Sequence, residues 1–147
     1  MDKKEFYRWG YWLKHCCRHL QGENLQEQFP EFKPSLIIAK ALNQDYQQAV
    51  LKDLALLQDG ENAQQKTLKN QICKRLIRAS NITRPKDEHQ WPYELSDYRE
   101  LFQKWHPQHL SQLDYFYHLL EKEQFSPKLL KTHAQDFITT LEAIKKR

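Results

Sequence analysis

The stretch KTLKNQICKRLIRASNITRPK, residues 66–86, carries two patterns at once. Leu68, Ile72, Leu76 and Ala79 recur at steps of three and four, widened by Cys73 and Ile77, which is the buried stripe of an amphipathic α-helix. The same segment holds seven Lys/Arg and no Asp or Glu, although the 147-residue chain has a net charge of only +4. Positive charge is thus concentrated where a polyanion could use it. Lys66, Lys69, Lys74, Arg75 and Arg78 read as lying mostly outside the apolar stripe, and Arg84 and Lys86 continue the basic run into the next segment. Lys74 and Arg78 share a face at i, i+4, where like charges repel by a few tenths of a kcal/mol. Two readings stay open: an ordinary solvated face, or an anion-binding surface for nucleic-acid phosphates. Arg75 lies closest to the buried edge, which leaves pairing with an acidic residue open for it.

Working outward, the same periodicity recurs between prolines. A helix is expected over 3–20, with Phe6, Trp9, Leu13, Cys17 and Leu20 on one face. Tyr7, Tyr11, Lys14 and Arg18 form a second stripe, read either as the rim of the core or as a strip on which unpaired bases stack. A long helix is expected over 34–58, with Pro34 in its first turn and Gly60 just past its end. The basic helix follows at 62–80, and residues 81–93, with two prolines, read as a long loop. Ser96 is the expected cap of a helix to Trp105, and Pro107 opens another covering Leu110 to Leu120. The last helix starts at Ser126–Pro127, and Leu130, Ala134, Phe137, Leu141 and Ile144 trace its seam. The fold class is therefore all-α, a single domain of five or six helices spanning 1–147. The helix over 34–58 and the last helix are expected to bury the most.

Composition agrees. Four Trp, seven Tyr and seven Phe supply large apolar surfaces for one core, whereas three glycines leave little for hairpins or phosphate-cradling loops. No apolar run approaches the ~20 residues that span a bilayer, and no signal-peptide pattern opens the chain. Three cysteines, two of them adjacent, are no disulfide framework and fit a cytoplasmic protein. No membrane partner is expected.

Catalytic patterns are not found. His15, Cys16, Cys17 and His19 form the one cluster of metal-ligand types, but adjacent cysteines diverge on a helix and no CxxC completes a site. No metal or other cofactor is expected. Cys73, alone on an apolar stripe, reads as packing. Asp87, Glu88, Glu94, Asp97 and Glu100 read as a solvated acidic patch.

Phe32 and Leu36 ahead of the long helix, LKNQICKRLIRAS at 68–80, Asp97–Tyr98–Arg99, EKEQ at 121–124 and LEAIKKR at 141–147 occur in this order. In that order of features the chain resembles the PriC family of primosomal replication restart proteins, small all-α bacterial proteins. The resemblance implies binding of single-stranded and forked DNA, recognition of the acidic tail of the single-stranded-DNA-binding protein, and help in loading the replicative helicase. The family has an arginine-rich helix after its aromatic. Here Glu100 follows Arg99 in an acidic region, so no binding role passes to Arg99.

The expected function is a non-enzymatic nucleic-acid-binding accessory protein of replication restart, repair or phage–host conflict. The alternative is a protein-interaction module, such as an immunity, inhibitor or adaptor protein, whose alternating acidic and basic segments dock an unidentified protein partner. A small helical subunit of a nucleoprotein complex lies between the two.

Overall fold

Ser35 and Ser126 each open a helix of the computed structural model, which describes residues 6–8, themselves helical, 35–57 and 62–146. Ser35 Oγ accepts the Ile38 N–H at 3.2 Å and opens α1, Leu36–Leu42. The single helix expected over 34–58 is in fact two. Asn43 closes α1 by donating its side-chain amide to the Ala39 carbonyl at 2.9 Å, and α2, Tyr46–Leu57, begins after a turn. Asn43 and Asp45 have short polar side chains that compete with helical backbone bonding. The break lets α1 lie against residues 80–83 while α2 runs along the basic helix α3, Asn62–Ala79.

The basic helix is the centre of the molecule. It packs against α2 and against all three later helices: α4, Leu95–Trp105; α5, Leu110–Leu120; and α6, Pro127–Lys145. Ile72, Cys73, Leu76, Ile77 and Ala79 are fully enclosed, more than the last helix contributes with Leu130, Ala134, Phe137 and Leu141. The last helix therefore does not rank second in burial, contrary to the sequence expectation. A helix with neighbours on several sides needs an apolar arc wider than the four-residue seam, and Cys73 with Ile77 supply it.

The segment expected to be a loop from residue 81 opens as a buried 3₁₀ turn, Ser80–Thr83, with Ile82 in the core. Its hydroxyls are satisfied locally, Ser80 donating to the Ile77 carbonyl and Thr83 to that of Ser80, at 2.5 and 2.7 Å. α4 starts one residue before Ser96: Asp97 reaches back and accepts the N–H groups of Tyr93 and Glu94, at 3.0 and 2.9 Å. Two polar ties then bind distant helices. Arg99 grips Asp114 through two bonds of 2.6 and 3.0 Å, linking α4 to α5. Tyr46 and Gln47 donate to Glu142 at 2.8 and 2.7 Å, linking α2 to α6. Between them Phe137 meets Phe116 and Phe102, with ring centres 5.4 and 6.0 Å away. No strand occurs among the described residues, and no helix of theirs is long and apolar enough to cross a membrane.

Candidate functional site

α3 is packed on several sides, and among its exposed residues Thr67, Gln71, Lys74 and Arg78 share one strip. The turn after α1 rises beside the strip, so Leu42 and Asn43 wall a groove of about 430 Å³ against Thr67, Asn70, Gln71, Lys74, Arg75 and Arg78. Among the described residues three cations and no carboxylate line it. None of the three is ion-paired with another described residue. Arg75 is half-buried, and its Nε is enclosed with no hydrogen-bond partner, as is Asn70 Oδ1. The pairing of Arg75 with an acidic residue, left open by the sequence, is not found among the described residues. Such a lining offers charged and amide donors to an anion.

The seven cations proposed as one surface do not stay together. Lys69 is fully buried, its ammonium donating to the Lys122 carbonyl and lying 5.9 Å from the centre of the Phe125 ring. It is a structural residue, not a phosphate contact. Arg84 is likewise 2% exposed. Its guanidinium sits 4.8 Å from the Trp91 ring and 5.6 Å from that of Trp105, and it donates to Asn81 Oδ1 and to the Glu88 and Gln90 carbonyls at 2.9, 3.1 and 2.5 Å. Pro85 disfavours helix at the preceding residue, so Arg84 is extended there and its side chain fills the inside of the turn. Lys66 is exposed but turned about 80° from Lys74, and it lines a separate groove with Glu123, Gln124 and Phe125. Lys86 is exposed beyond the 3₁₀ turn and outside the groove.

Tyr7 is half-buried beside Phe6, at 5.8 Å between ring centres, and Arg8 pairs with Asp45 at 3.8 Å. Tyr11, Lys14 and Arg18, with His15, Cys16, Cys17 and His19, lie outside the described residues. Among those described no group of three or more metal-ligand side chains occurs. Cys73 is enclosed, and burial pushes its thiol up to about 12.

The acidic patch is only partly solvated. Glu88 accepts from Trp105 Nε1 at 2.9 Å, from the Gln90 N–H at 3.0 Å and from Lys104 at 3.0 Å. These bonds, the indole first, hold its carboxyl down at about 2. Asp97 is also below the usual carboxylate range, because the Glu94 and Tyr93 backbone N–H groups bind it. Asp87, Glu94 and Glu100 are exposed. Arg99 is paired with Asp114.

Sequence reasoning overlooked Asn43, Thr67, Asn70 and Gln71. The last three share the cationic strip by helical spacing and were legible. Asn43 was not, since only the break before α2 brings it there. No protein-family model matches the chain, and no significant similarity appears to a curated protein or to a solved structure.

Proposed function

We propose that this protein is a non-enzymatic nucleic-acid-binding accessory protein, and that Lys74, Arg75 and Arg78 are its phosphate contacts. One observation carries the reading: three cations meet in a single groove whose described lining holds no carboxylate. Like charges brought this close repel, and an anion seated among them reverses the sign of that energy. The resemblance to replication restart proteins points to the same class of ligand.

Fluorescence anisotropy with a labelled single-stranded oligonucleotide at two salt concentrations tests the reading. Up to three phosphates are contacted, so log K should fall against log[salt] with a slope of about −2, well short of what seven contacts would produce. Lys74→Glu with Arg78→Glu should abolish most of that slope. Equal, weak binding of wild type and the double variant to DNA and RNA at low salt would hand the function to the protein-interaction alternative.

A further inference from the structure

We infer that the groove between α3 and the turn after α1 is built for a dianionic phosphate monoester, such as the phosphorylated end of a strand, in preference to the internal phosphodiesters of a polymer. This rests on the phosphate-binding reading above and narrows it. The argument is one of charge and extent. An internal phosphodiester carries a single negative charge, whereas a monoester carries about −1.5 to −2 at pH 7. Lys74, Arg75 and Arg78 bring three positive charges to one groove of about 430 Å³, more than a lone diester needs.

The charges are also confined. Lys74 to Arg78 spans one helical turn, about 6 Å of axis. A track for a long polyanion would have to continue, and among the described residues it does not. Lys69 and Arg84 are buried at 0% and 2% exposure, Lys66 stands about 12 Å back along α3 on another face beside Glu123, and Lys86 lies outside the groove. Asn70 and Gln71 also line the groove and add amide groups beside the cations. Among the described residues no titratable side chain from the opposite wall lines the groove, since Leu42 and Asn43 form that wall and Asp45 beyond it is paired with Arg8.

The test compares one single-stranded 12-mer carrying a 5′-phosphate, a 3′-phosphate or hydroxyls at both ends, by anisotropy at low salt and pH 7.5. A phosphorylated end should bind roughly tenfold tighter than the hydroxyl form, as expected of an added charge of about −2. That advantage should vanish in Lys74→Gln with Arg78→Gln, a variant checked for unchanged helicity by circular dichroism. It should also shrink as pH falls from 7.5 to 5, since the monoester loses its second charge near pH 6. Competition with adenosine monophosphate and with inorganic phosphate separates the sources. Displacement at concentrations near the oligonucleotide Kd assigns the site to a free mononucleotide or phosphate, and displacement only at far higher concentration assigns it to a strand end; either supports the monoester chemistry. Equal binding of all three oligonucleotides, still lost in the double variant, overturns the monoester inference and leaves phosphate binding standing. Binding unaffected by the double variant overturns both.

Discussion

Lys69 donates its ammonium to the main-chain carbonyl of Lys122, fifty-three residues further on, from a position with no solvent exposure. That bond ties the centre of α3 to the connection between α5 and α6, where residues 121–125 turn the chain back toward Ser126. A charge so enclosed is tolerated because the carbonyl and the face of Phe125 replace part of its hydration.

Truncating Lys69 should therefore act on stability and leave the groove alone. Lys69→Ala removes the donor and opens a void, which should cost about 1–3 kcal/mol in urea unfolding, while Lys69→Met, which keeps the volume, should cost less. Oligonucleotide affinity of both variants should match wild type once each is folded. A large loss of affinity without destabilisation would return Lys69 to the ligand surface.

The converse holds for Lys74 and Arg78. Both are exposed and unpaired among the described residues, so Lys74→Glu with Arg78→Glu should change unfolding free energy by less than about 0.5 kcal/mol. Lys66→Glu, on its separate groove, should weaken oligonucleotide binding less than Lys74→Glu does.

Arg84 should not accept lysine. An ammonium cannot supply the fork that reaches Asn81, Glu88 and Gln90, nor lie flat between two indoles. Arg84→Lys should cost roughly 2–3 kcal/mol, the scale of a lost charged hydrogen bond, and shift tryptophan emission as Trp91 and Trp105 lose their partner. An unchanged spectrum and midpoint would show that the cage is not structural.

Glu88 makes stability depend on acid. Its carboxyl ionises at about 2 when folded against an ordinary 4.5, so the unfolded chain takes up the proton first as pH falls. Its contribution is complete above pH 4.5 and declines between about 4.5 and 2. Over that window Glu88→Gln should flatten the curve of unfolding free energy against pH relative to wild type. Parallel curves would refute the assignment.

Cys73 should be inert. Enclosed, and with its thiol pushed up to about 12, it should alkylate only as fast as the protein unfolds. Mass spectrometry of the peptide containing Cys73 after iodoacetamide treatment, with and without urea, measures this directly.

Periodicity and capping are properties of neighbouring residues, so the sequence alone determined the all-α class, the seam Leu68–Ile72–Leu76–Ala79 and the start of the last helix at Ser126–Pro127. The burial of Lys69 was legible too: it lies within about 20° of Leu76 on the helix and three and four residues before Ile72 and Cys73. Grouping it with the other cations by charge set that spacing aside. The division of 34–58 at Asn43 turned on a contest between helix propensity and side-chain bonding that differs by only tenths of a kcal/mol per residue. Tertiary packing alone decided the rest. Arg84 is inside because Trp91 and Trp105 close over it from seven and twenty-one positions away, contacts that no local pattern encodes. The groove exists because Asn43 and Lys74, separated by thirty-one positions, are brought face to face when α1 turns aside to cover residues 80–83. Charge told which residues could hold an anion; only the packing of helices around α3 chose the three that share a groove.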